Sequence, residues 1–150
     1  STSDAYHITA TSPDGAGESK ALQKSLDRAR INVDEVDYLN AHATSTPIGD
    51  RGELAAVRAL FGRSPKVAVS STKSATGHTL GAAGALEAIY TVMAVHNNVL
   101  PPTLNLESVE PGYEDLNLVP KEAQERQVNV ALSNAFGFGS TKASLVFRKV

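Results

Sequence analysis

Short apolar runs alternate along this chain with stretches of helical periodicity, and that alternation is the strongest constraint on its fold. Residues 17–30 carry Leu22, Leu26 and Ala29 at i, i+4, i+7 spacing with charges between them, which predicts an amphipathic helix. Val36–Ala41 is short and apolar-rich and predicts a strand. Asp50 followed by Glu53 resembles a capping pattern; the helix it opens carries Leu54, Val57 and Phe61 on one side, and Gly62 supplies its stop. Val67–Ser70 predicts a second strand. Residues 82–96 are apolar on nearly every face, as in a helix buried on several sides, and Asn97-Asn98 ends it. Pro101-Pro102 opens an extended connection, and Leu116–Val119 predicts a short strand. Val128–Ser133 and Ala143–Arg148 predict an antiparallel pair joined by the glycine-rich Phe136–Ser140. Such an order implies an α/β fold with a parallel or mixed sheet covered on both faces. No repeat or linker interrupts it, so residues 1–150 read as one domain.

Composition removes several function classes. Fourteen basic residues stand against 16 acidic ones, for a net charge of −2, and no Lys/Arg run offers a footprint for nucleic acid. No apolar stretch is long enough to span a bilayer, so no membrane is expected as a partner. The chain opens Ser1-Thr2-Ser3-Asp4 and runs at once into the turn-rich Ser12–Gly17, with no initiator Met and no signal-peptide pattern. This opening suggests a piece of a longer chain and a cytoplasmic location. Cysteine is absent, which excludes disulfides, thiolate metal sites and a cysteine nucleophile within these residues. The four histidines lack metal-ligand spacing, so no metal is expected. There is no Gly-x-Ser-x-Gly elbow and no Walker loop, and Phe136-Gly137-Phe138-Gly139 does not open a helix as a dinucleotide fingerprint would.

Chemistry concentrates in three glycine-punctuated loops at predicted strand ends, where α/β sheets place their sites. The first is Asn40–Asp50, with His42 and the hydroxyls of Thr44, Ser45 and Thr46, which suit either a polar ligand or a plain turn. The second is Ser71–Gly84. Here His78 stands just before the apolar helix, whose N-terminal field favours a neutral imidazole, and Gly77, Gly81 and Gly84 allow close backbone approach. Lys73, among small residues, needs a carboxylate if buried, and Glu53 or Asp50 could serve. The third is Asn134–Thr141. A helix start with a capping histidine would account for the second loop equally well, and an anion-binding module at that start is a weaker alternative.

Taken together, Asn-Ala-His-Ala-Thr-Ser-Thr-Pro-x-Gly-Asp, Ser-Thr-Lys-Ser-x-Thr-Gly-His-x-Leu-Gly-Ala-Ala-Gly and Ser-Asn-x-Phe-Gly-Phe-Gly closely resemble the β-ketoacyl-acyl-carrier-protein synthases, of the elongating synthase II type. The resemblance covers essentially all 150 residues. It implies the C-terminal half of the thiolase fold, βαβαβαββ, with a mixed five-stranded sheet covered by helices. It is expected to place the first strand, truncated here, centrally in the order 3-2-1-4-5. On that order the chain would be ordered only beside its upstream segment.

The implied reaction is a decarboxylative Claisen condensation of malonyl-acyl-carrier protein with an acyl thioester, in fatty acid biosynthesis. By resemblance, His42 and His78 are the histidine pair that stabilises the malonyl enolate, and Lys73 is paired by Glu53. Asp50 orders the loop, and Thr44 and Thr46 hold the phosphopantetheine arm. Phe138 is the gating phenylalanine and Phe136 its neighbour. The implied partners are acyl carrier protein, an N-terminal half bearing the cysteine, and a second copy in a full-length homodimer. No cofactor is implied beyond the carrier's phosphopantetheine. These 150 residues, lacking the thiol, should be inactive alone. The chain departs from the family pattern at Ala43, Ser140 and Lys142, where Gly, Gly and Asn are usual. The competing implication is a non-catalytic, chain-length-factor-like partner, against which the retention of His42, Lys73 and His78 together argues.

Overall fold

The computed structural model describes residues 1–63 and 65–150. In chain order it contains β1 (Thr2–Ser3), α1 (Ala16–Ala29), β2 (Tyr38–Asn40), α2 (Pro47–Phe61), β3 (Ala68–Ser70), α3 (Lys73–Thr76), α4 (Ala83–Asn97), β4 (Val99–Leu100), β5 (Gln124–Glu125), β6 (Val130–Gly137) and β7 (Thr141–Arg148). A five-stranded sheet has the order β1-β7-β6-β2-β3, and β4 and β5 form a separate antiparallel ribbon. Strands β3, β2 and β6 run parallel, and β7 is antiparallel to β6.

The expected strand order does not hold. β2 bonds directly to β6, with Tyr38 opposite Ala131, Leu39 opposite Leu132 and Asn40 opposite Ser133. Both edges of β2 are therefore taken, by β3 and β6, and no strand fits between them. The first strand lies instead on the outer edge, antiparallel to β7. The centre of the sheet carries no unpaired row of backbone groups, so the reason for expecting the chain to need an upstream strand there is removed.

Alternation along the central strands divides the core in two. Leu39, Val69 and Leu132 face α1 and α2 and pack with Leu22, Leu26 and Val57. Tyr38, Ala68 and Ala131 face the other way and pack with Ala94, Val95 and Leu100. α1 and α2 meet where Gly15, at φ 65, lies so close to Gly52 that a Cβ there would sit 2.2 Å from the Gly52 carbonyl oxygen. Only glycine satisfies both demands.

Several local expectations shift. α2 starts at Pro47, whose fixed φ suits a first helical position, so Asp50 and Glu53 lie inside the helix and do not cap it. Gly62 ends α2 at φ 77, and Asn98 ends α4 in the left-handed conformation, as the sequence predicts. Leu116–Val119 forms no strand; Asn117 makes a single bridge to Ala68 of β3, and Pro120, just past the segment, makes one to Thr103. Phe136 and Gly137 belong to β6, which leaves a tight turn at Phe138–Ser140. α4 is buried on one side only, by Ala83, Glu87, Thr91, Ala94 and Val95, while Ile89, Val92 and Met93 are exposed. Its buried side is thus the more polar one. No helix among the described residues is long and apolar enough to cross a membrane.

Leu39 is fully buried at the centre of the sheet. Leu39→Ala should lower unfolding free energy by about 2–5 kcal/mol, read from the urea midpoint. A change within about 0.5 kcal/mol, as at a surface site, would contradict this core.

Candidate active site

The parallel strands β2 and β3 end level with one another, since Asn40 stands opposite Ser70, and β6 passes that level at Ser133 in the same direction before running on to Gly137. All three loops therefore emerge on one edge, the carboxyl edge where α/β sheets gather ligands. There the His42 and His78 rings stand edge to face with centroids 5.5 Å apart, and the Phe136 ring lies 5.6 Å from His42.

His42 is held from below by Glu53. One Glu53 oxygen accepts the His42 N–H at 3.0 Å and the Asn134 side-chain amide at 2.9 Å, and the other accepts the Ala43 N–H at 2.8 Å. Burial pushes the Glu53 carboxyl up, against those three donors. Burial also pushes the His42 imidazole down to about 3, aided by positive charge on Lys73, by His78 and by Lys142. His42 Nδ1 is buried and has no hydrogen-bond partner.

His78 does not sit on the first turn of α4. A 3-10 turn at Leu80–Ala82 intervenes, and the ring is exposed. Its Nδ1 accepts the Leu80 N–H at 3.1 Å, which leaves Nε2 as the nitrogen that carries hydrogen in the neutral ring. Of the loop glycines, Gly84 meets Ala135 across the helix–sheet contact, whereas Gly77 and Gly81 face open space.

The pairing of Lys73 with Glu53 is overturned. The Lys73 ammonium, buried at the start of α3, pairs with Glu87 of α4. Glu53 is already occupied by His42, Ala43 and Asn134, on the opposite face of the sheet. Burial raises the Glu87 carboxyl although Lys73 opposes the shift. Asn40 completes this arrangement, its amide reaching Thr72 Oγ1 and the Glu87 carbonyl, both at 3.3 Å.

The remaining predicted residues lie nearer the surface. Asp50 accepts the Ser45 N–H at 3.1 Å, and burial raises its carboxyl. The Thr44 and Thr46 hydroxyls bond each other at 3.1 Å. Phe138 is 80 % exposed at the hairpin tip, so Phe136 is the aromatic that meets His42. Ala43 does not have the positive φ at which alanine is strained; in this loop Ser45 has it, at 64. A groove of about 340 Å³ between α2 and residues 103–110 is lined by Thr46, Asp50 and Glu53 but by neither histidine. Among the described residues no group of acidic or histidine side chains has metal-holding geometry.

Sequence reasoning missed Asn40, Glu87 and Asn134. Glu87 had a signal, being the single carboxylate in an otherwise apolar helix. Asn40 and Asn134 had none beyond their strand-end positions.

A β-ketoacyl synthase C-terminal domain profile matches residues 1–107. The chain belongs to that family. A 3-oxoacyl-(acyl-carrier-protein) synthase 2 from Rhizobium meliloti (strain 1021) is 52 % identical over 148 residues, covering 97 % of this chain and 34 % of that protein. The chain thus spans about a third of the length of this curated relative. Among solved structures, the ishigamide ketosynthase/chain length factor superposes with a TM-score of 0.92 at 33 % identity, over 99 % of this chain and 36 % of its own. A type II PKS ketosynthase, in complex with its acyl-carrier protein and bound to the hexaketide, gives 0.91 at 29 % identity over the same shares. The fold is therefore that of the C-terminal half of the thiolase fold.

The folded His42 binds a proton only near pH 3, whereas its ordinary value is 6.5. Its ring resonances should stay unshifted from about pH 8 to about pH 5, and a midpoint near the ordinary value would refute the burial argument. Because the unfolded ring protonates first, stability should fall as pH drops from 6.5 towards 3, and His42→Gln should flatten that slope.

Proposed function

We propose that this chain supplies the malonyl-decarboxylating half of a 3-oxoacyl-acyl-carrier-protein synthase. The observation that carries the reading is the His42–His78 pair, edge to face at 5.5 Å on the carboxyl edge of a β-ketoacyl synthase fold. Decarboxylation of a malonyl thioester leaves an enolate whose charge sits on the thioester oxygen. Two imidazole N–H groups directed at that oxygen stabilise the charge as it develops and do little for the ground state. A histidine that stays neutral far below pH 7 carries one ring N–H that can donate, and is not a competing acid.

In this reading Lys73, locked by Glu87, contributes fixed positive charge beside His42. Glu53 and Asn134 orient the His42 loop, and Asp50 orders its outer turn. Thr44 and Thr46 offer hydroxyls to the carrier's phosphopantetheine arm, Phe136 packs against His42, and Phe138 stands at the mouth. Residues 1–150 form the C-terminal half-domain. The cysteine that accepts the acyl group lies in the rest of the protein, acyl carrier protein delivers both substrates, and a second copy completes a homodimer. No cofactor takes part besides the carrier's arm.

A second reading is favoured by one observation: a similar solved structure is named as both ketosynthase and chain length factor. A subunit that only shapes an acyl pocket has no use for a histidine pair with a buried Lys–Glu support. The complete set here therefore favours the condensing enzyme.

In the complete enzyme, His42→Ala and His78→Ala should each slow malonyl decarboxylation by about 10²–10³, the usual loss of one such donor. Acyl transfer to the cysteine should change far less, because no enolate forms in that step. Equal losses in the two half-reactions, measured with separately labelled acyl- and malonyl-carrier protein, would refute the assignment.

A further inference from the structure

A second cluster of buried charge lies behind the hairpin that carries Phe136. Lys142 is only 2 % exposed, and its ammonium lies 3.3 Å from Asp4 Oδ2 and 3.5 Å from Glu18 Oε1. Glu18, on α1, is buried too; the Thr11 hydroxyl donates to its Oε1, and its Oε2 has no hydrogen-bond partner. A buried lysine is tolerated only when carboxylates hold it, and breaking such a set leaves an uncompensated charge. The arrangement therefore tolerates little displacement.

Its position gives it a use. Lys142 stands directly opposite Phe136 on the β6–β7 ladder, so the two side chains leave the hairpin on one face. Phe136 in turn meets the His42 ring. The start of the chain is laid along the same tip. Thr2 and Ser3 pair with Lys142 and Thr141, the Gly139 N–H donates to the Ile8 carbonyl at 2.8 Å, and the Ser140 hydroxyl donates to the His7 carbonyl at 2.9 Å. Ser140 adopts φ 63, a conformation that costs a serine more than a glycine, and its side-chain bond to His7 offsets that cost.

We propose that Lys142, gripped by Asp4 and Glu18, is a positioning residue that fixes the β6–β7 tip to the first residues of the chain and thereby sets Phe136 against His42. The proposal rests on the reading of His42 given above in one respect only, that displacing Phe136 alters the reaction.

The test compares wild type, Lys142→Met, Lys142→Arg and Asp4→Asn in the complete enzyme. It measures amide hydrogen exchange at Gly137–Ser140, kcat for malonyl decarboxylation, and acylation of the cysteine. Loss of the ammonium should speed exchange at the tip by about tenfold and lower decarboxylation kcat by about tenfold, with cysteine acylation within about twofold and recovery in Lys142→Arg. Asp4→Asn should give the same pattern more weakly, and it carries the test if Lys142→Met does not fold. Exchange at the tip is read whatever the enzyme catalyses, so a wild type without decarboxylation would refute the proposed function and leave this measurement standing. Unchanged exchange, or an equal fall in both half-reactions that arginine does not restore, would overturn the proposal.

Discussion

A carboxylate removed from water must be surrounded by donors, and Glu53 meets that demand with three groups from two other parts of the chain. Two are the backbone amides of His42 and Ala43, and the third is the side-chain amide of Asn134. Any loop conformation that turned those amides elsewhere would leave the buried oxygens short of partners, at about 1–3 kcal/mol for each one lost. The direction of the His42 loop is thus dictated by a residue on α2. The height of β6 relative to that loop follows from the same side chain, and with it the contact between Phe136 and His42.

The opposite face of the sheet repeats the device with a different chemistry. Glu87 on α4 holds Lys73, and Asn40 ties the same helix to Thr72. Each carboxyl-edge loop after β2 and β3 is therefore anchored to a helix by a buried carboxylate, one on either side of the sheet. Strands only three residues long suffice between these anchors, because they are buried on both faces and bonded on both edges at β2. The register that puts Asn40 beside Ser70 then delivers the β2 and β3 loops to a common level, and β6 runs past it on the same edge.

Much of this was legible in the sequence, and the parts that were not share a physical cause. Periodicity located the first and the apolar helix within a residue or so, because Leu22 and Leu26 mark a buried stripe directly, but the start of α2 was placed at Asp50 and lies at Pro47. Gly62 and Asn98 marked the helix ends because the left-handed conformation there demands such residues. The three loop motifs brought out His42, His78 and Phe136, which the structure does assemble. Strand order was misjudged because nothing in a parallel strand's own residues states which neighbour it will bond. The partner of Lys73 was misjudged because Glu53 and Glu87 both qualify by charge, and only the sheet lying between them decides. Asn134 escaped notice because a lone amide at a strand end looks like any other until the carboxylate beneath it is seen.

The reversed polarity of α4 carries a consequence for handling the polypeptide. Ile89, Val92 and Met93 point to water while Glu87 and Thr91 point inward. Hydropathy along this helix is therefore a poor guide to which of its side chains the sheet covers. An engineer who ranked positions by hydropathy alone would place Ile89, Val92 and Met93 against the sheet and Glu87 and Thr91 away from it, the reverse of their arrangement.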